Sequence, residues 1–94
     1  MQKLNVGIIG CGRIADLHYL GYQKTEGARI FAVCDSNPEV AEARKKEWNA
    51  VKSYTDFRDM LLNPDIHAVE ILTPHHLHET IAVEAARAKK HIAV

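Results

Sequence analysis

The chain has 94 residues, with 12 Lys plus Arg against 12 Asp plus Glu, 47% hydrophobic and 26% charged; this is the composition of one globular domain and leaves no room for a second. A chain this long buries on the order of 64% of its unfolded surface, enough for a single core. Zero net charge, with basic residues spread throughout, gives no electrostatic footprint for nucleic acid or an anionic membrane. No apolar run reaches the length of a membrane span, and residues 1–5 lack the pattern of a signal peptide. The expected compartment is the cytoplasm, with Cys11 and Cys34 as reduced thiols.

Leu4–Ile9 is a short, β-branched apolar run that stops at glycines, the pattern of a strand buried on both faces. From Arg13 the period becomes helical: Ile14, Leu17, Leu20 and Gly21 recur over about three turns, and Gly27 is the stop signal. Ala28–Cys34 returns to a strand. Ser36 or Asn37 can cap a helix whose first position is Pro38, where the missing N–H costs nothing, with Val40, Ala43 and Trp48 as its expected inner stripe. Residues 51–54 predict a short strand, and Thr55 or Asp56 caps a short helix carrying Phe57, Met60 and Leu61, which Asn63-Pro64 ends. A strand over 66–72, a loop at Thr73-Pro74, a helix over about 76–88 packing through Ile81, Ala82, Ala85 and Ala88, and a strand over 91–94 complete the order. Strands that alternate with helices predict an α/β, doubly wound parallel sheet with right-handed crossovers, a Rossmann fold of strand order 3-2-1-4-5, with residues 1–94 as one domain.

The chemistry concentrates at Gly10-Cys11-Gly12-Arg13-Ile14-Ala15, a G-x-G-x-x-A between the first strand and the first predicted helix. Gly10 allows the tight turn, Gly12 lets a pyrophosphate approach the backbone, and Ala15 permits close packing of helix on strand, so that unpaired N–H groups and the positive dipole end face the phosphates. The bland alternative is a glycine turn that only joins two elements. Gly7, inside the strand, is better explained by close packing. Asp35 lies 20 residues after Ala15 at the end of the second strand, where a carboxylate accepts from adenosine ribose hydroxyls; a turn or capping aspartate is the alternative. A carboxylate there repels a 2′-phosphate, so NAD is expected over NADP. Arg13, Ser36 and Asn37 keep NADP open, because the Arg13 guanidinium could pair with a phosphate, and Ser36 and Asn37 could contact a 2′-phosphate if Asp35 swung away.

The run Gly7-Ile8-Ile9-Gly10-Cys11-Gly12-Arg13-Ile14-Ala15, with His18, Cys34-Asp35, Tyr54, Asp56, Leu61-Leu62, Asp65, Ile71, Thr73-Pro74, His78 and Lys90-His91-Ile92, resembles the amino-terminal domain of the Gfo/Idh/MocA oxidoreductases, essentially end to end. The resemblance implies an NAD(P)-dependent dehydrogenase or reductase acting on a sugar, a cyclitol or a related polyol. It also implies a carboxyl-terminal α/β domain that shapes the substrate site and often the oligomer, so a homo-oligomer is expected of the intact parent. By the same resemblance, Gly10, Gly12, Arg13 and Ile14 meet the pyrophosphate and Asp35 the adenosine ribose. Thr73 and Pro74 then lie along the nicotinamide side, with His78 just beyond. The family's Glu-Lys-Pro motif, whose lysine lies at the reaction centre, would begin where Val94 ends this sequence. The expectation is therefore a partial domain with no catalytic residue of its own, which binds cofactor without turnover. A non-catalytic dinucleotide-sensing module is the rival reading. A third is a chain that only folds, whose exposed last strand would promote a concentration-dependent dimer.

His75, His76 and His78 invite a metal reading, but no partnering residues at a recognised ligand spacing follow, and no metal is expected. At a helix start, neutral imidazole suits hydrogen bonding near a cofactor, so His78 reads either as facing the cofactor or substrate cleft or as a loop-capping histidine. His18 matches the family pattern yet reads equally well as a packed helix-face histidine. Glu70 is anomalous in a central parallel strand, where an unpaired carboxylate would cost several kcal/mol, and it receives no role. Cys11 reads as a small loop residue rather than a reactive thiol. Arg44-Lys45-Lys46 reads as the solvated face of a helix.

Overall fold

The computed structural model describes residues 4–10, 27–73 and 75–93. The first predicted helix, within 11–26, lies outside the described residues, as do Pro74 and Val94. Five parallel strands form one sheet: β1 (Leu4–Ile9), β2 (Ala28–Cys34), β3 (Lys52–Tyr54), β4 (Ala68–Ile71) and β5 (His91–Ala93). Their order is β3-β2-β1-β4-β5, as the alternation predicts. The most apolar strands take the centre: β1 pairs with β2 on one side and β4 on the other, and Val6, Ile8 and Ile9 are all buried. A register shift after Val6 sets Gly7 opposite Ala32 and leaves Phe31 as the extra residue.

The helices α1 (Pro38–Glu47), α2 (Phe57–Leu61) and α3 (His75–Arg87) join these strands. Alternation along the strands divides the core in two. On one face Ile8, Ile30 and Val33 meet Trp48 and Ala50, with Val40 and Leu72 packed against them. On the other, Ile9, Phe31, Val69 and Ile71 meet Met60 and Leu61 of α2 and Ile81 and Ala85 of α3. Gly7 faces this second layer and is needed there, since a Cβ would stand 2.7 Å from Met60 Sδ. Ile81, Ala82, Ala85 and Ala88 all pack as the periodicity predicts.

Two helix starts are built as expected. Asn37 caps α1 by accepting from Glu39 N at 3.0 Å, with Pro38 following, and Asp56 caps α2 by accepting from Arg58 N at 2.9 Å. The inner face of α1 departs from the prediction, because Ala41 is buried and Ala43 is exposed. From Pro38 onward, Val40, Ala41, Arg44 and Trp48 fall within roughly a 100° arc, and Ala43 points well outside it. Arg44 lies over the Trp48 ring at 5.0 Å, so a cation rather than a methyl group completes the stripe. Both longer helices end alike. The residue past the cap takes a positive φ, 54° at Asn49 and 62° at Lys89, and Ala50 N and Lys90 N reach back to Lys45 O and Ala85 O.

The starting ends of the strands are tied by side chains. Asn5 N donates to His67 Nδ1 at 3.0 Å, Asn5 Nδ2 to Asp65 O at 2.9 Å, and Arg29 Nε to Asn5 Oδ1 at 2.8 Å. Lys90 Nζ donates to Asn63 O at 2.8 Å and Ile66 O at 2.7 Å. Glu70 is 5% exposed within β4, opposite Ile8, and is engaged in an interaction there rather than orphaned. No described helix is long and apolar enough to cross a membrane.

Candidate nucleotide site

Parallel strands deliver all their carboxyl ends to one rim. In an open sheet the crevice lies where the connections change direction, here between β1 and β4. Gly10 leaves β1 at φ 92°, a region open to glycine, and its N–H donates to Cys34 O at 2.8 Å. A Cβ there would stand 2.9 Å from Thr73 N and 3.0 Å from Leu72 C. The ends of β1 and β4 are thus in backbone contact, which no larger residue allows.

Above this floor opens a cavity of about 720 Å³, within the range of small-molecule sites. Among the described residues, Ile9 and Gly10 form its base, Cys34, Asp35 and Ser36 the wall from β2, and Leu72 and Thr73 the wall from β4. Thr55, Asp56, Phe57 and Arg58 contribute from the end of β3, and Leu77, Thr80 and Ile81 from α3. Asp35 is half-buried; its N–H donates to Tyr54 O at 3.1 Å and its Oδ1 accepts from Asn37 N at 2.9 Å, so the carboxylate is held at the rim. Thr73 Oγ1 is buried without a hydrogen-bond partner among the described residues, an orphaned group of the kind a ligand satisfies.

The sequence-predicted residues Gly10, Asp35 and Thr73 therefore meet around one cavity, although they are far apart in the chain. His78, on the first turns of α3, is half-buried beside the wall that Leu77, Thr80 and Ile81 supply. Gly12, Arg13, Ile14 and Pro74 lie outside the described residues. Sequence reasoning missed the β3 wall, Thr55 to Arg58. The available signal was positional, since residues just past a strand that pairs with β2 must emerge beside Asp35. Among the described residues, no group of three or more His, Cys, Asp or Glu is placed to hold a metal ion.

These features suit a dinucleotide: a floor that only glycine permits, a threonine on one wall whose buried hydroxyl has no partner among the described residues, and a carboxylate at the end of the second strand. Residues 4–94 match the GFO_IDH_MocA family model, described as an oxidoreductase family with an NAD-binding Rossmann fold. A levoglucosan dehydrogenase of Pseudarthrobacter phenanthrenivorans is 38% identical over 98% of this chain and 26% of its own length. A myo-inositol 2-dehydrogenase of Thermotoga maritima is 26% identical over 95% of this chain and 27% of its own. Among solved structures, a scyllo-inositol dehydrogenase from Lactobacillus casei with bound NAD(H) and scyllo-inositol superposes with a TM-score of 0.89 at 30% identity, over 97% of this chain and 27% of that one. A levoglucosan dehydrogenase in complex with NADH gives 0.89 at 37% identity, with the same coverage. The chain spans about a quarter of the length of the relatives it matches.

Proposed function

The chain belongs to the Gfo/Idh/MocA oxidoreductase family, with its NAD-binding Rossmann fold, and from that premise we propose that residues 1–94 are the dinucleotide-binding part of an NAD-dependent dehydrogenase acting on a sugar, cyclitol or related polyol. One observation carries the reading: Gly10, Asp35 and Thr73 line one cavity at the β1/β4 switch point. In this reading Gly10, Gly12, Arg13 and Ile14 hold the pyrophosphate, and Asp35 accepts from the adenosine ribose hydroxyls. Thr73 and Pro74 flank the nicotinamide, with His78 nearby. The bound cofactor supplies a ring that takes up or gives a hydride. The chain's own part is to bind, orient and enclose that ring. The acid/base groups and the substrate contacts are assigned to sequence outside residues 1–94, and the sugar-like substrate class is supported by the names of the relatives. NAD is preferred to NADP because the Asp35 carboxylate would face a 2′-phosphate.

Calorimetric titration with NADH and NADPH, on the chain and on Asp35→Ala, tests this. NADH should bind more tightly than NADPH, and the variant should lose about 10-fold or more in NADH affinity, as expected for a charge-assisted hydrogen bond. A folded chain that binds neither nucleotide would overturn the reading.

A further inference from the structure

Of the residues described around the cavity, Arg58 is the one permanent cation. It sits on the β3 side, and the pairing of Cys34 with Tyr54 makes Asp35-Ser36 and Thr55-Asp56 emerge as neighbours, about 4.8 Å apart in a regular sheet. Its guanidinium lies 4.6 Å over the Phe57 ring, and Phe57 packs on the core, so the charge is kept at the cavity wall. Asp56 meets Arg58 at two points, its backbone N–H and its guanidinium. Its Oδ1 accepts from Arg58 N at 2.9 Å and lies 4.0 Å from Arg58 Nη1.

We propose that Asp56 is a specificity-determining residue of this cavity, acting as a positioning partner of Arg58: it offsets the guanidinium charge and so denies it to a 2′-phosphorylated nucleotide. The inference rests on the dinucleotide reading above. Among the described residues lining the cavity, two carboxylates, Asp35 and Asp56, stand against one cation, so their summed charge is negative. A 2′-hydroxyl is indifferent to that field, whereas a 2′-phosphate is repelled by it. The Asp56–Arg58 pair is open to solvent, with side chains 53% and 57% exposed, so its grip is weak and sensitive to salt. Asp56 thus contributes charge rather than a rigid clamp, and removing that charge frees Arg58 to meet a phosphate.

Asp56→Asn is a clean perturbation, because asparagine caps a helix as well as aspartate while carrying no charge. The folded chain and its Asp56→Asn, Asp56→Asn/Arg58→Gln, Arg58→Gln and Asp35→Ala variants are titrated with NADH and NADPH at low and high salt, and each is melted. Asp56→Asn should raise NADPH affinity relative to NADH by about 3- to 10-fold at low salt, with the gain shrinking at high salt and the melting temperature unchanged. The added Arg58→Gln should cancel the gain, and Arg58→Gln alone should move the ratio the opposite way. An unchanged ratio in both Asp56→Asn and Arg58→Gln, or equal gains for the two nucleotides, would overturn the proposal while Asp35→Ala still reports on the site. If the unaltered chain binds neither nucleotide, the dinucleotide reading fails first and this inference falls with it.

Discussion

Replacing Gly10 by alanine tests whether the cavity floor is built as described. Two costs add. At φ 92° an L-residue carries strain of about 1–2 kcal/mol. The new Cβ would also lie 2.9 Å from Thr73 N and 3.0 Å from Leu72 C, and because both are backbone atoms the loop after β4 must move, at a further cost of about 1–3 kcal/mol. A total near 3 kcal/mol is a large share of the roughly 5–14 kcal/mol expected for a chain of this size. It should lower the melting temperature by about 12–24 °C, since each kcal/mol is worth about 4–8 °C here. Thermal melts followed by circular dichroism, with urea denaturation as a second measure, read this directly. Gly27→Ala is the internal control. No atom of the described residues lies within 4 Å of its Cβ position, so that variant should be neutral or stabilised by up to about 1 kcal/mol. A Gly10→Ala chain that melts within a few degrees of the parent, or no more than Gly27→Ala is affected, would refute the backbone contact between β1 and the loop after β4.

Two further perturbations act away from the cavity. Gly7→Ala drives a Cβ to 2.7 Å from Met60 Sδ, in a side chain that is fully buried; it should cost about 1–3 kcal/mol, and a double-mutant cycle with Met60→Ala should show a coupling of about 1 kcal/mol or more. Strict additivity in urea denaturation would show that the two residues do not meet. Lys90→Met removes two hydrogen bonds to carbonyls and should destabilise by about 1–3 kcal/mol. Burial holds the Lys90 pKa below 10.5, so the unfolded chain binds this proton more tightly than the folded one. Stability from this group then rises as pH climbs through the lowered value towards 10.5. The stability difference between the parent and Lys90→Met should therefore grow across that alkaline window, and a flat or falling difference would contradict the desolvation.

Features set by local rules were legible from the residues alone. The bounds of β1 and β2, the Asn37 cap with Pro38 behind it, the Asp56 cap and the close packing at Gly7 all follow from turn chemistry, branching and periodicity within a few positions. Features set by partners far along the chain were not. Ala43 looked inward because it is small and apolar, but the helical phase counted from Pro38 gives that place to Arg44, whose guanidinium lies over Trp48. The predicted strand over 66–72 contracts to Ala68–Ile71, although His67 N and Leu72 N still donate to Asn5 O and Ile9 O on either side. Half the site, Gly10 and Asp35 on their two strands, could be placed because glycine and a following carboxylate carry a spacing. The Thr55 to Arg58 wall carries none; it joins the cavity only because β3 pairs beside β2.

The hydrogen-bond ladder around β1 has a bearing on amide exchange. Gly10 N and Leu72 N close bonds of 2.8 Å to Cys34 O and Ile9 O, carbonyls of two buried strand residues. Amides placed so centrally exchange only when the whole sheet opens. The walls are different in kind, because Asn37 N and Arg58 N are held by short aspartate turns on exposed loops and can exchange by local fluctuation. Deuterium uptake should therefore be slow at the floor and fast at the rim. Among the described residues, a ligand entering here meets a floor already in its final form, and the ordering entropy of binding falls on the 35–37 and 55–58 loops rather than on that floor.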